Sequence, residues 1–252
     1  MKTIQIIFTL LAFAFFSNAV FSQLSSGRIE YDRTIYWTKI MDELPYLSKE
    51  ELARNKLTWG KDDKYTTQYS LIYNQNASQY IESEIQKEKS DQWSWRKEQL
   101  NYYLDLEKKT RSDLVEMPDK IYYVESPEPS FKWKILSEIK EVSGYVCMSA
   151  ETIDTVRKHK IVAWFTPEIP VSSGPEWYSG LPGMILELDI QNGSCVITAT
   201  NIIKDPVNQT PTVPARKKKY KIIDLAKLHE LQTSYINQCI LSRRNPYWNM
   251  RY

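Results

Sequence analysis

The pair Asn192-Gly193 restricts the fold more than any other feature of the sequence, because apolar and polar residues alternate on both sides of it. The flanking segments are MILELDI and SCVITATNI. Asn-Gly is typical of a two-residue type I′ turn, in which both central residues have positive φ. A shift of one residue would turn Glu187 and Asp189 toward the core, so the pattern predicts a hairpin of one register. Three apolar pairs follow from it: Ile190 with Cys195, Leu188 with Ile197, and Leu186 with Ala199.

The same alternation recurs along the chain and predicts further short strands. In residues 27–38, for example, Ile29, Tyr31 and Ile35 share one face. The other predicted strands are 65–73, 78–83, 101–106, 111–117, 121–125, 132–136, 145–152 and 160–165. Many short strands with few long helical segments predict a mainly β protein of the α+β class. We expect a curved antiparallel sheet or a partly open β-barrel.

Two helices are predicted from their capping residues. Ser48 and Glu51 have the spacing of a capping box, which predicts a short helix through Asn55. Asp224 can cap a C-terminal helix, in which apolar residues recur every three to four positions. We expect this helix to pack on the sheet. Residues 84–96 are interpreted as a loop that folds over the sheet.

The N-terminus has the pattern of a secretory signal peptide. Lys2 precedes a mostly apolar segment at residues 4–16, and small residues follow at the expected cleavage site near Ser22. The apolar segment is too short for a transmembrane anchor, so none is expected in the mature chain. We predict a signal peptide over residues 1–22 and a single domain over residues 23–252. The protein is expected to be exported, and to be periplasmic or secreted.

Cysteine and charge content exclude several classes of protein. Lys and Arg total 33 against 31 for Asp and Glu, and these charges are interspersed, so no nucleic-acid partner is expected. The basic residues 216–219 are interpreted as a solvated loop. The odd number of cysteines, Cys147, Cys195 and Cys239, leaves at least one unpaired within the chain. A bridge between Cys147 and Cys195 requires neighbouring strands, and two separately buried thiols fit equally well.

The segment Gly180-Leu181-Pro182-Gly183-Met184-Ile185 resembles the signature of the GLPGLI family, which is exported by Bacteroidota, with Met184 in place of Leu. Residues 141–150 (EVSGYVCMSA) and 162–175 (VAWFTPEIPVSSGP) resemble two further segments of that family. The family usually has Gly-Arg before Ala-Trp, whereas this chain has Arg157 without the glycine. The resemblance implies a cell-envelope protein associated with an outer-membrane TonB-dependent transport system. It implies no established activity, and the strand pattern also resembles half-barrel lipoprotein carriers.

Residues that could carry out catalysis are few. No metal-ligand, nucleophile or phosphate-loop motif is present, so no catalytic residue, metal or other cofactor is predicted. His159 and His229 have charged neighbours and are interpreted as exposed structural residues. Glu187 and Asp189 lie two residues apart on a predicted strand and therefore share a face. Three interpretations of this pair stay open: the acid-base pair of a hydrolase, a site for a hard cation, or two carboxylates that simply face solvent.

The loop at residues 166–179 is the predicted contact surface. Its prolines reduce the entropy lost when the loop is fixed, and Glu168, Trp177 and Tyr178 would contact a partner. The alternative is that Trp177 folds back to close one end of the sheet. Residues 154–156, Asp-Thr-Val, fit a short O-glycosylation pattern that would modify Thr155.

Taken together, the sequence favours an exported cell-envelope protein that is not an enzyme and acts as a binding or accessory protein. Two alternatives stay open. One is a carrier of an apolar ligand on a half-barrel sheet, and the other is a secreted hydrolase that uses Glu187 and Asp189.

Overall fold

The computed structural model describes residues 26–60, 63–84, 100–204 and 209–252. The predicted signal peptide and almost all of the loop at 84–96 lie outside these residues. Within the described residues, twelve strands form one open, curved sheet. The strands are β1 (Gly27–Tyr36), β2 (Lys64–Tyr73), β3 (Ala77–Glu82), β4 (Asn101–Asp105), β5 (Thr110–Glu116), β6 (Ile121–Pro127), β7 (Lys134–Val142), β8 (Tyr145–Ile153), β9 (Lys160–Thr166), β10 (Met184–Ile190), β11 (Cys195–Lys204) and β12 (Lys221–Ile223).

The described helices are α1 (Trp37–Asp42), α2 (Lys49–Trp59) and α3 (Leu225–Leu241), followed by a short 3₁₀ helix at Pro246–Trp248. No described helix is both long enough and apolar enough to cross a membrane. The strand order is β12-β6-β5-β4-β3-β2-β1-β11-β10-β9-β8-β7. This confirms the predicted mainly β fold with a C-terminal helix. The sheet is mixed rather than wholly antiparallel, because β12 pairs with β6 in parallel.

The hairpin at Asn192-Gly193 has the predicted register. Ile190 pairs with Cys195 and Leu188 with Ile197, and the ladder begins at Glu187 and Thr198, one residue short of the expected Leu186–Ala199 pair. Asn192 and Gly193 both have positive φ, at 53° and 79°, as a type I′ turn requires. Gln191 has positive φ as well, which the Asn-Gly pattern does not predict.

Both predicted helix caps are present. The Ser48 hydroxyl accepts the Glu51 N–H at 3.2 Å, and the Glu51 carboxylate accepts the Ser48 N–H at 2.8 Å. This capping box starts α2, which continues beyond Asn55 to Trp59. Asp224 caps α3 by accepting the Lys227 N–H at 2.7 Å. Leu228 and Cys239 of α3 are buried, so the predicted apolar face does pack inward.

Strand boundaries differ most from the predictions at the edges of the sheet. β7 runs from Lys134 to Val142 and is mostly exposed, and its many charged residues hide the alternation that a half-buried strand shows. β12 was not predicted. It has only three residues, and its parallel partner β6 is about a hundred residues away in sequence, beyond the reach of a local pattern.

The glycines of the segment at residues 174–183 allow its backbone to lie directly against β9 and β10. A Cβ on Gly183, whose φ is 144°, would lie 2.1 Å from the Thr166 carbonyl oxygen. A Cβ on Gly174 would lie 2.6 Å from the Ile185 Cβ. Real Cβ atoms do not approach other atoms so closely, so side chains at these two positions would push the loop off the sheet.

Gly183→Ala is therefore expected to lower the free energy of unfolding by roughly 3 to 5 kcal/mol, because the added methyl overlaps backbone that cannot move aside. Gly144→Ala is the matched control, since Gly144 also has positive φ, at 82°, but a Cβ added there would meet nothing within 4 Å. The control should cost only about 1 to 2 kcal/mol, the strain of a left-handed backbone. Urea denaturation measures both values. Equal losses would contradict the steric explanation.

Candidate functional site

A cleft of about 720 Å³ lies where five segments of the chain meet. The segments are β5, the connection from β6 to the start of β7, the end of β8 with the turn that leads into β9, the loop at Trp177 and the start of α3. The lining residues are Arg111, Asp113, Pro129, Ser130, Phe131, Lys132, Lys134, Glu151, Thr152, Ile153, Asp154, Thr155, Val156, Arg157, Lys160, Trp177, Tyr178, Leu225 and His229. A more open depression of about 790 Å³ continues along α3 and shares Thr155, Val156 and His229. The first cleft is the better candidate because it is more enclosed and its walls are mainly apolar.

A column of stacked aromatic rings holds Trp177 in place. Trp177 stacks on Tyr102 with ring centroids 5.0 Å apart. Tyr102 in turn stacks on Tyr80, directly opposite it on β3, and Tyr80 stacks on Tyr69 of β2. The Arg157 guanidinium lies 5.8 Å from the Trp177 ring centroid. Because each ring is fixed by the next strand of the sheet, this part of the cleft is formed before any ligand binds.

A buried ion pair fastens the backbone beside Trp177. Arg111 contacts Asp113 through Nε at 2.9 Å and Nη2 at 3.3 Å, and its Nη1 donates to the Trp177 carbonyl at 3.2 Å. Both side chains are about 95% buried, with 4% and 5% exposure. Burial raises the pKa of Asp113 above its ordinary value, although Arg111 opposes the shift. All three guanidinium nitrogens of Arg111 therefore have a partner, and the group serves to position the loop.

The turn after β8 is closed by a second pair, Asp154 and Arg157. Asp154 accepts the N–H groups of Val156 and Arg157 at 2.7 and 2.9 Å, and Arg157 Nη1 contacts its other oxygen at 3.1 Å. Arg157 Nε and Nη2 donate to the Arg251 carbonyl at 3.3 and 3.2 Å. Burial alone would raise the pKa of Asp154, but Arg157 and these N–H groups hold it below its ordinary value. The pair is therefore ionised and internally satisfied.

Glu176 anchors the residue next to Trp177. Its carboxylate accepts Arg251 Nε at 2.7 Å and Nη2 at 2.5 Å, and Arg33 Nε lies 3.3 Å from Oε1. All three side chains are buried. Glu176 also has a φ of 59°, which is unusual for a residue other than glycine. The ion cluster thus holds the strained backbone of Glu176 in place through Arg33 of β1 and Arg251, which follows the 3₁₀ helix.

The predicted contact residues occupy different environments. Glu168 is exposed, whereas Trp177 is half-buried and stacks on the sheet while still lining the cleft. Tyr178 is 4% exposed and packs on Phe131 with centroids 5.1 Å apart, so its ring does not face solvent. The alternative in which Trp177 folds back onto the sheet fits this placement. A partner contact through Glu168 and Trp177 stays a prediction.

The signature-like segment does not line the cleft. Leu181, Gly183, Met184 and Ile185 are buried, and the Gly180 N–H donates to the Ser172 hydroxyl at 3.0 Å; Pro182 is exposed. Just before it, the Ser179 carbonyl accepts the Trp133 indole N–H at 2.8 Å, and the Ser179 hydroxyl donates to Glu128 at 2.6 Å. These bonds tie the wall that contains Phe131 to the loop that contains Trp177.

Glu187 and Asp189 have separate partners outside the cleft. Lys140 forms an ion pair with Glu187, and the Thr198 hydroxyl donates to the same carboxylate at 3.2 Å. Asp189 accepts the Gly193 N–H at 2.5 Å and so supports the hairpin turn. Within the described part of the chain, no three His, Cys, Asp or Glu residues are grouped so as to hold a metal ion.

Cys147 and Cys195 do not form a bridge. Cys147 is on β8 and Cys195 on β11, and two other strands separate them in the sheet. Both thiols are free and buried, as is that of Cys239. Burial raises the pKa of Cys147 to about 11. The alternative of separately buried thiols is the one that the structure supports.

The prediction that His159 is exposed was wrong. Its side chain is buried, with the ring stacked on Tyr252 at 4.3 Å and Nε2 3.4 Å from the Tyr247 hydroxyl. Lys158 and Lys160 suggested a solvent-facing strand end, but residues from the end of the described chain cover the ring.

His229 is half-buried and lines the cleft, and burial lowers its pKa. Thr155 is exposed in the turn, and its glycosylation stays a prediction.

Sequence reasoning missed most of the cleft. Phe131, Lys132 and Ile153 come from segments that the sequence assigned only to strands or connections. One signal was available. Arg111 and Asp113 lie two apart on a strand and therefore share a face, which continues with the apolar Val115 and Met117. A charged pair on an apolar face indicates a buried ion pair or a site.

Comparison with known proteins supports the fold and a short part of the chain. A family model described as "Protein of unknown function (Porph_ging)" matches residues 151–187, which include the Asp154 turn, Trp177 and the signature-like segment. Two solved structures of PNGF-II are similar, each with 14% sequence identity. The structure in space group P21 has a TM-score of 0.54, with 82% of this chain covered and 33% of that one. The structure in space group C2 has a TM-score of 0.50, with 83% and 33% covered.

The chain therefore spans about a third of the PNGF-II chains. At 14% identity this likeness shows the fold alone. None of the curated proteins matches the chain.

The Glu176 cluster gives a prediction for stability. Glu176→Gln leaves two buried guanidinium groups without a full counter-charge, so it is expected to lower the free energy of unfolding by about 3 to 5 kcal/mol. Glu125→Gln is the control, because it removes a carboxylate whose ion pair with Arg216 is at the surface. Surface pairs contribute little, so the control should leave the urea midpoint almost unchanged. Similar midpoints for the two variants would show that the cluster does not anchor the fold.

His159 gives a prediction for pH. Burial, and secondarily Arg157, lowers its pKa from 6.5 to about 4 in the folded protein. The contribution of neutral His159 to the free energy of unfolding is therefore fully present above pH 6.5 and is lost as the pH falls toward 4. The cause is that the unfolded chain takes up the proton at a higher pH than the folded protein does. His159→Gln removes this titration, so its free energy of unfolding should fall less steeply across that interval. His229→Gln should reduce the dependence of the free energy of unfolding on pH less than His159→Gln does, since His229 is only half-buried. An unchanged slope in His159→Gln would contradict the assignment.

Proposed function

We propose that the protein is an exported, non-enzymatic binding protein of the cell envelope and that the cleft beside Trp177 is its ligand site. Export is supported by the signal-peptide pattern of residues 1–22, and the envelope setting by the resemblance to the GLPGLI family. An accessory role beside a TonB-dependent transport system rests on that resemblance alone. The fold-level likeness to PNGF-II adds nothing about activity.

The observation that carries the proposal is a preformed cleft whose buried charges are already satisfied. Arg111 with Asp113, and Arg157 with Asp154, direct their polar atoms at each other and at backbone groups. Catalytic groups instead need a polar atom free to meet the substrate. The volume of about 720 Å³ falls within the range of small-molecule sites, roughly 300 to 1,000 Å³. Binding of a small molecule fits this arrangement better than catalysis.

The alternative of an apolar-ligand carrier gains support from Ile153. This side chain is 63% exposed at the cleft, where an apolar part of a ligand would cover it. The hydrolase alternative gains none, since Glu187 and Asp189 are paired elsewhere and do not line the cleft.

Native mass spectrometry of protein purified gently from its own envelope tests the proposal. We expect extra mass that is lost on denaturation. Ile153→Ser should reduce the fraction that carries it, because the substitution removes apolar contact area within the cleft. Ile139→Ser is the matched control, since Ile139 is 67% exposed on the neighbouring strand β7 but does not line the cleft.

Wild-type protein without any bound mass would count against small-molecule binding and in favour of a protein partner. Equal loss of bound mass from the two serine variants would show that the ligand lies outside the cleft.

A further inference from the structure

The charges that line the cleft are unbalanced in one direction. Five Lys and Arg residues line it against three Asp and Glu residues, so the surplus is 5 − 3 = 2 with His229 neutral. The two arginines are neutralised by Asp113 and Asp154 in the buried pairs described above. The surplus therefore belongs to the lysines Lys132, Lys134 and Lys160.

These three lysines are exposed, which places their ammonium groups at the edge of the cleft. Glu151 is the one carboxylate of the cleft lining that is close to them. Its two oxygens are divided between Lys134 at 3.0 Å and Lys160 at 2.9 Å. One carboxylate thus serves two ammonium groups, and Lys132 adds a third positive charge nearby. Outside the lining, Glu138 and Asp189 also act on Lys160. The lining itself keeps a positive surplus and therefore favours an anion over a cation.

The walls below this edge are apolar. Phe131, Ile153, Val156 and Leu225 present hydrocarbon to the cleft together with the Trp177 ring. The Phe131 ring is fixed against Tyr178 and lies 5.9 Å from Trp133, so this wall does not need to reorganise to receive a ligand. A ligand that fits both parts must have an apolar body and a negatively charged end.

On these grounds, and on the proposed function that makes the cleft a binding site, we propose that its ligand is a small anionic amphiphile. The apolar chain lies against Phe131 and Ile153, and the anionic head lies among Lys132, Lys134 and Lys160. A fatty-acid anion is the simplest molecule of this kind. The lysine stems add apolar contact around the head, while their ammonium groups stay hydrated.

Three probes with the same dodecyl group separate the contribution of head-group charge from that of the apolar chain: dodecanoate, dodecanol and dodecylammonium. Each is used below its micelle concentration. Binding to the purified full chain is measured by calorimetry. Dodecanoate is expected to bind most tightly and dodecylammonium most weakly. Raising the salt concentration should weaken dodecanoate binding and leave dodecanol unaffected, because only the first depends on exposed charges.

Variants of the cleft edge then test the residues. The double variant Lys132→Gln/Lys160→Gln should weaken dodecanoate binding roughly tenfold, since it removes the charge surplus. The matched control is Lys217→Gln/Lys218→Gln, which removes the same charge from an exposed loop outside the cleft lining. Glu151→Gln should strengthen dodecanoate binding roughly threefold, because it frees two lysines for the ligand. Dodecanol binding should change far less than dodecanoate binding in the cleft variants, because dodecanol has no charge and loses only contact with the lysine stems.

The outcomes distinguish the two proposals. If dodecanol and dodecylammonium bind as well as dodecanoate, and only Ile153→Ser weakens them, the cleft is a binding site without anion preference and this inference fails. If dodecanoate binding is lost equally in the loop control, the charge effect is non-specific and the inference also fails. If no probe binds to the wild-type protein but native mass spectrometry finds bound mass that Ile153→Ser reduces, this inference fails and the proposed small-molecule site stands. If no probe binds and no bound mass is found, both proposals fail.

Discussion

The carboxylate of Glu176 is the point on which the arrangement of this protein depends. A buried carboxylate is stable only when it is paired, and here Arg251 binds it with two N–H groups while Arg33 approaches one of its oxygens. Those partners come from opposite ends of the described chain. The pairing also offsets the strain of positive φ at Glu176, roughly 1 to 3 kcal/mol. Since Trp177 follows directly in the chain, the same cluster helps to set the position of this cleft-lining residue.

Local patterns predict those parts of the fold that form from neighbouring residues. The hairpin at Asn192-Gly193 and the caps at Ser48 and Asp224 involve residues only a few positions apart, so alternation and residue type were sufficient. β12 depends instead on a parallel partner far away in sequence. The burial of His159 depends in the same way on Tyr247 and Tyr252, whose final position no pattern around residue 159 indicates.

In the cleft, too, local patterns predict some features, while others depend on residues far apart in sequence. The sequence pointed to the loop that contains Trp177, because prolines and aromatic residues together indicate a rigid contact segment. It did not indicate that Phe131 and Ile153 would meet that loop, since each comes from a different strand connection or strand end. The convergence is produced by the curvature of the sheet and by long-range bonds such as that from Trp133 to the Ser179 carbonyl. Neither is visible as a local pattern.

Structural and selective roles fall on different residues of this site. The signature-like segment is mostly buried, Gly183 allows its backbone to lie against Thr166 at the end of β9, and none of its residues lines the cleft. Ile153 and the lysines at the cleft edge are exposed, and their replacement removes little buried surface. The chemistry of the ligand can therefore change through exposed side chains while the ion cluster and the stacked rings keep the same frame. Because one frame can present different ligand preferences, the likeness to PNGF-II at 14% identity is informative about the sheet and says nothing about the ligand.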